Sequence, residues 1–174
     1  MILEVKGDLI KMCERGLIEI MVHGCNCFHA MGSGIAGQLA RKHPEVPEAD
    51  RVGTVCGDLG KIGSYTVAEV SSKAGNDVPF VVFNAYTQNA PSYDGSDVFA
   101  YEAFPDLLET IRSRLSSMMA QAKMDEPDAK PLTIGFPQIG AGLAGGDWPR
   151  IRQMIVDAFE AEPHITVVLV EYQP

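Results

Sequence analysis

The sequence lacks a long hydrophobic run and a basic, hydrophobic leader at its N-terminus. No apolar segment approaches the roughly 20 residues that a membrane-spanning helix requires. The first residues, 1–8, predict a strand, without the charged start and extended apolar stretch of a secretory signal. We therefore expect a cytoplasmic protein with no membrane partner.

Cysteine and positive charge are also scarce. The four cysteines show no spacing of a secreted disulfide framework, so reduced thiols are expected. Fourteen Lys and Arg residues stand against 23 Asp and Glu, a formal net charge of -9. The negative electrostatic field of such a protein repels bulk nucleic acid and anionic membranes. An anionic ligand would have to be held by local dipoles such as backbone amides.

Length and composition indicate a globular protein: 174 residues, 46% hydrophobic and 21% charged. We predict a single domain over residues 1–174 and expect a monomer. Strands are predicted at residues 2–6, 17–23, 65–70, 80–85, 132–136 and 165–172, helices at 34–42, 98–122 and 148–160, and a turn at 71–78. This alternation predicts an α/β fold with a mostly parallel sheet covered on both faces.

Two glycine-rich loops each leave a predicted strand and enter a predicted helix, at residues 24–33 and 137–146. Ligands bind at this edge of open α/β sheets, where glycine lets amides approach and a helix start adds its positive end. Neither loop has a Walker lysine, and the first lacks the full Rossmann spacing. Opposed amide-rich loops suit a pyrophosphate, although each loop alone is also ordinary turn chemistry.

In order along the chain, four segments resemble the macrodomain family. They are residues 5–9 (Val-Lys-Gly-Asp-Leu), 23–27 (His-Gly-Cys-Asn-Cys), 32–44 (Gly-Ser-Gly-Ile-Ala, then Gln-Leu-Ala and Pro) and 137–148 (Pro-Gln-Ile-Gly-Ala-Gly-Leu, then Trp). The chain is similar to the branch of ADP-ribose-1″-phosphate phosphatases and terminal ADP-ribose glycohydrolases. The resemblance implies a three-layer α/β/α fold, ADP-ribose or ADP-ribose-1″-phosphate as ligand, and no cofactor.

The resemblance also implies ligand contacts. Asp8, beside Leu9, would accept a hydrogen bond from the adenine amino group; an N-cap aspartate is the alternative. Asn26 would hydrogen-bond the distal ribose, or else close its own turn. The residues matching the two diphosphate loops are Gly32, Ser33, Gly34 and Ile35 in the first and Ile139, Gly140, Ala141, Gly142 and Leu143 in the second.

His23 and Asp94 are the candidate catalytic residues. The phosphatase-like branch resembles this sequence in placing a histidine at position 23, where it could protonate a leaving group, activate water or attack phosphorus. A structural histidine at a strand end is the alternative. Asp94 matches an aspartate facing the distal ribose, but its Ser-Tyr-Asp-Gly context equally suits a turn. Asp147 is expected to cap a helix.

The chain departs from the glycohydrolases that use a lysine and an aspartate. Residues 80–88 contain no lysine, and Ala144 replaces the aspartate, so we expect no covalent lysine mechanism. Zinc binding by His23, Cys25 and Cys27 is conceivable because the three lie on one strand face. The Cys-x-Cys spacing is shorter than that of usual zinc sites, however, and no metal is expected.

We expect hydrolysis of the 1″-phosphate. The alternatives are release of ADP-ribose from protein or nucleic acid, and a reader without turnover.

Overall fold

The computed structural model describes residues 1–71, 78–92 and 94–174. The predicted turn at 71–78 lies largely outside the described residues. In chain order, the elements are β1 (Ile2–Gly7), α1 (Leu9–Glu14), β2 (Ile20–Asn26), α2 (Gly34–Lys42), α3 (Glu45–Gly53), a 3-10 turn (Leu59–Lys61), β3 (Tyr65–Val70), β4 (Phe80–Gln88), α4 (Phe104–Asp125), β5 (Leu132–Pro137), α5 (Trp148–Phe159) and β6 (Ile165–Tyr172).

The strands form one sheet in the order β1-β6-β5-β2-β4-β3. All neighbours pair in parallel except β3, which is antiparallel to β4. Alternate residues of β6 pack on opposite faces of the sheet. Val167 and Leu169 belong to the hydrophobic cluster that includes α4 and α5, whereas Val168 and Val170 belong to the cluster that includes α1. The predicted three-layer α/β/α fold with a mixed, mostly parallel sheet is therefore confirmed.

Two helices, α1 and α3, were not predicted, and a third begins later than predicted. Helix α3 was not predicted because Pro44 was taken as a stop, yet Pro44 and Pro47 lie at its start, where no amide hydrogen is needed. Helix α1 is only six residues long. Helix α4 begins at Phe104 rather than 98 because the preceding segment pairs elsewhere: Phe99 bridges Gln88 on β4.

Strands β2 and β4 both run further than predicted, to Asn26 and Gln88. Asn84, within the predicted strand 80–85, is fully buried and held by side chains on neighbouring elements. The described residues include no helix with the length and hydrophobicity that a bilayer crossing needs. The longer strands bring polar residues to the carboxyl edge of the sheet, where the cleft lies.

Candidate ligand-binding site

A cleft of about 570 Å³ opens at the carboxyl edge of the sheet, around the ends of β2, β4 and β5. Its size falls within the range of small-molecule sites. Both glycine-rich loops line it, so the two loops face each other as expected. The lining residues are Gly24, Asn26, Ala30, Gly32, Ser33, Gly34, Ile35, Ala36, Gln88, Pro91, Ser92, Pro137, Gln138, Ile139, Gly140, Gly142, Leu143 and Ala144.

The first loop presents the start of α2 to the cleft. Ser33 precedes the helix in an extended conformation, and its side chain makes no capping hydrogen bond. The Gly37 amide donates to the Ser33 carbonyl at 2.8 Å and opens the helical ladder. The amides of Gly34, Ile35 and Ala36 therefore precede that ladder and have no acceptor within the helix. Together with the positive end of the helix dipole, they form an anion-binding surface.

The second wall is a turn that lies between β5 and α5. Helix α5 begins at Trp148, as predicted, and Asp147 caps it by accepting from the Arg150 amide at 3.3 Å. The capping role predicted for Asp147 is thus confirmed. Between β5 and α5, the Gly146 amide donates to the Gly140 carbonyl at 2.9 Å and folds the loop back on itself. Among the described helices, only α2 has its first residue on the lining of the cleft.

Two glycines of the second loop have different constraints. Gly140 has φ +74, and a Cβ there would lie 2.2 Å from Cδ2 of Phe99. A Cβ on Gly142 would meet no heavy atom within 4 Å, and the residue lines the cleft. Gly140 is thus required by the fold, whereas Gly142 leaves open space in the cleft.

Asn26 lines the cleft and also closes its own loop. Its Oδ1 accepts from the Phe28 amide at 2.9 Å and the Ala30 amide at 3.4 Å, and its Nδ2 donates to the Ala30 carbonyl at 2.8 Å. These are the bonds of the turn-closing alternative. Asn26 therefore shapes the first loop whether or not it also contacts a ligand.

His23 lies inside the protein rather than at the cleft. It is fully buried, and its Nε2–H donates to Oδ1 of Asn84 at 2.7 Å. The Cys25 Sγ lies 3.7 Å from the same nitrogen. Burial lowers the pKa of His23 to about 4, although the Asn84 hydrogen bond and the Asp50 charge oppose the shift. A neutral, buried and hydrogen-bonded imidazole is what the alternative, a structural histidine, predicts.

We expect His23 to make the fold sensitive to acid. Its folded pKa of about 4 lies below the ordinary 6.5, so the unfolded chain binds more protons below pH 6.5. Stability is then lost as the pH falls from about 6.5 towards 4, and roughly 2 kcal/mol disappears between pH 7 and 5. In urea unfolding, His23→Gln should remove most of that loss, whereas His164→Gln, at an exposed site, should not. Equal pH dependence in all three proteins would contradict a buried neutral His23.

Asp94 occupies an exposed turn beside the cleft. Its Oδ1 accepts from the Ser96 hydroxyl at 2.7 Å, the Ser96 amide at 3.0 Å and the Ser92 hydroxyl at 3.5 Å. Hydrogen bonds from Ser96 lower the pKa of the carboxyl, which is therefore ionised at neutral pH. Asp94 makes the turn that its sequence context suggested. Ser92, which lines the cleft, connects it to the site.

Comparison with known proteins places these features in a family. No family model matches the chain. It is 35% identical over 170 residues to the uncharacterized 17.5 kDa protein in the tk-vs intergenic region of Enterobacteria phage T4, covering 98% of this chain and 96% of that protein. The macrodomain of Thermus aquaticus DarG superposes with a TM-score of 0.68 and 25% identity, over 100% of this chain and 99% of that one. The chain belongs to the macrodomain family.

Two further relatives carry names that describe a reaction. An ADP-ribose 1″-phosphate phosphatase of Candida glabrata is 26% identical over 165 residues, covering 87% of this macrodomain and 89% of the relative. A DNA ADP-ribosyl glycohydrolase of Mycobacterium tuberculosis is 26% identical over 163 residues, covering 94% of this chain but only 40% of the relative. The chain thus spans nearly all of the first enzyme and well under half of the second.

Asp8 and Leu9 lie where β1 ends and do not line the cleft. Asp8 caps α1 by accepting from the Lys11 amide at 3.1 Å. Partial burial would raise the pKa of Asp8, but the hydrogen bonds and charge of Lys11 outweigh it, and the pKa is lowered. Leu9 is 2% exposed in the core. This macrodomain uses Asp8 as the N-cap that the sequence offered as the alternative.

Tyr172, Gln88 and Ser92 are among the residues at this edge that were not singled out in the sequence. Tyr172 ends β6 in register with Gly7, next to Asp8, and is 59% exposed. Gln88 and Ser92 line the cleft, but β4 was expected to stop before them. An aromatic residue ending a strand at the carboxyl edge was a usable signal for Tyr172. Finding Gln88 required the true length of β4.

The described residues that line the cleft share one electrostatic property: none has a titratable side chain. Their polar groups are backbone amides, the carboxamides of Asn26, Gln88 and Gln138, and the hydroxyls of Ser33 and Ser92. A site made of fixed dipoles can hold an anion without a cation. It offers no acid, base or nucleophile of ordinary strength on its lining.

Proposed function

We propose that this macrodomain binds ADP-ribose derivatives and hydrolyses the 1″-phosphate of ADP-ribose-1″-phosphate. The observation that carries the proposal is the convergence of the α2 start and the Gly142 turn on one cleft of an acidic protein. Amide donors at these two places would hold the diphosphate. The distal ribose would extend towards Asn26 and Gln88.

The adenosine half of the ligand would lie towards Asp8 and Tyr172. Both residues stand at the carboxyl edge, one strand apart. The exposed ring of Tyr172 offers a stacking surface for a base, and Asp8 has a carboxylate oxygen, Oδ2, to accept from the adenine amino group beside its contact with Lys11. This placement keeps the role first suggested for Asp8 alongside its role as an N-cap.

Catalysis in such a cleft would depend on positioning and electrostatic stabilisation. The buried position of His23 favours a supporting role for that residue. Asp94 is the better candidate for proton transfer because it is ionised and one hydrogen bond from Ser92 in the lining. The phosphatase from Candida glabrata, which matches along almost its whole length, supports phosphate as the leaving group.

The test combines calorimetry and phosphate release. We expect micromolar or tighter binding of ADP-ribose, about 8 kcal/mol, and release of phosphate from ADP-ribose-1″-phosphate. Asp94→Asn should slow release about 100-fold with an unchanged Kd, while Asp97→Asn, in the same loop, serves as the control. Unchanged release by Asp94→Asn would remove the proposed role of that residue, and absence of ADP-ribose binding would overturn the whole proposal.

A reader without turnover is the second candidate, and the absence of titratable groups among the described lining residues favours it. Binding of ADP-ribose without release of phosphate, and without release of ADP-ribose from modified protein or DNA, would establish it. Turnover on modified protein or DNA alone would instead identify a glycohydrolase. The same protein preparation serves all three measurements.

A further inference from the structure

His29 is held in an unusual backbone conformation within the loop between β2 and α2. Its φ is +56, and no other non-glycine residue in the described ranges has a positive φ. Residues with a Cβ seldom adopt this conformation, which has to be maintained by surrounding contacts. His29 lies between Asn26 and Gly32, so its conformation sets the path of the chain along the cleft.

The imidazole of His29 provides those contacts by reaching away from the cleft to the end of α3. Its Nε2 lies 2.8 Å from Oγ1 of Thr54 and 3.6 Å from Oδ1 of Asp50. Thr54 itself donates to the Asp50 carbonyl at 2.7 Å. His29 therefore attaches the loop to the end of α3 through its side chain, while backbone bonds of Cys27 to Gly57 and Asn89 hold the start of the loop.

The attachment point is itself rigid. Asp50 is 1% exposed and accepts from the Tyr86 hydroxyl at 2.6 Å, with Lys61 Nζ at 3.6 Å. Lys61 also donates to Thr54 at 2.9 Å and lies 4.6 Å from the centre of the Tyr86 ring. A buried ion pair is costly unless fully bonded and is often no more stable than apolar packing. The Asp50–Lys61 pair lies beside the β2–α2 loop, where a fully bonded network can fix the position of that loop.

We propose that His29 is a positioning residue that, through Thr54 and Asp50, holds the β2–α2 loop in the conformation that presents the amides at the start of α2 to the ligand. This inference rests on the proposed function, because the cleft must hold a diphosphate for the conformation to matter. Without the imidazole, the loop samples other conformations. The apparent affinity for the ligand then falls in proportion to the population of the binding-competent conformation.

The test substitutes His29 and measures ADP-ribose affinity at a temperature where every variant is folded. His29→Gly permits the positive φ but removes the imidazole, and we expect its Kd to rise about 10- to 100-fold. His29→Asn tolerates the same φ and keeps a side-chain donor, so it should recover part of the affinity. His164→Gly, at an exposed turn, is the matched control. A purely structural role would lower Tm and leave the Kd of His29→Gly within twofold of wild type, and that result would overturn the inference.

A ligand-free measurement separates this inference from the proposed function. Exchange of the bonded amides of Cys27, Phe28 and Ala30 should accelerate at least tenfold in His29→Gly and not in His164→Gly, because the loop opens locally. If wild type fails to bind ADP-ribose but exchange accelerates in this way, the loop attachment stands and the ligand assignment fails. If the exchange of these three amides is unchanged, His29 does not position the loop.

Discussion

Gly142→Asp is expected to abolish detectable ADP-ribose binding while leaving the protein folded. A Cβ at Gly142 meets no heavy atom within 4 Å, so the fold should tolerate a side chain there to within about 0.5 kcal/mol. The residue lines the cleft, and a carboxylate there would face the diphosphate. Repulsion at about 4–5 Å costs on the order of 3 kcal/mol, or more than 100-fold in Kd. Calorimetry and thermal unfolding measure the two expectations.

Gly142→Asn is the matched control, because it has the shape of aspartate without the charge. We expect it to weaken binding by no more than about tenfold, and added salt should narrow the gap between the two variants. Equal losses in both would indicate steric exclusion and argue against an anion at this position. Wild-type affinity in Gly142→Asp would mean that the second loop does not contact the ligand at all.

The positions of the two loops followed from the sequence, because glycines after a parallel strand lie at a known edge of the sheet. Helix α2 was predicted at its observed bounds, 34–42. Helix α5 was predicted from its observed first residue, Trp148, but the turn that precedes it was not. The bond between the Gly146 amide and the Gly140 carbonyl makes this wall a turn, and Phe99 from a distant segment packs against both glycines.

The burial of His23 shows why the environment of its side chain could not be predicted from sequence. The predicted strand ended at residue 23, which left the imidazole free at a strand end. The observed β2 continues to Asn26, so His23 is an interior residue of the strand. Alternate side chains point to opposite faces, and His23 shares a face with Cys25, whereas Gly24 and Asn26 line the cleft. Because β2 was predicted to end three residues too early, His23 was expected at an open strand end instead of in the interior.

The network around Asp50 was beyond sequence reasoning for a different reason. Its members come from β2–α2, α3, the 3-10 turn and β4, and their spacing along the chain shows no regular pattern. Asp50 lies in a polar segment that was not predicted to be helical, where an aspartate would ordinarily be solvated. Its burial follows from the packing of α3 on the sheet, which brings the carboxylate to Tyr86 and Lys61.

Gly140→Ala is expected to cause the largest loss of stability of any single methyl group added to the cleft. The new Cβ would lie 2.2 Å from the Phe99 ring and 3.2 Å from Ile151, at φ +74. Phe99 is confined by edge contacts to Phe104 and Tyr101, with ring centres 5.0 Å apart in each pair. A positive φ and overpacking together cost about 3 kcal/mol. The Tm should fall by about 10 °C for a chain of this length.

The partner of Gly140 can be tested by double substitution. Gly142→Ala, in the same loop but facing open space, should change stability by less than about 0.5 kcal/mol. Phe99→Leu should be destabilising alone, yet less so when combined with Gly140→Ala, because the smaller side chain makes room for the methyl group. Strictly additive losses would show that strain at positive φ, rather than contact with Phe99, requires glycine. In either case, the glycines of one loop divide between those that the fold needs and those that leave space for the ligand.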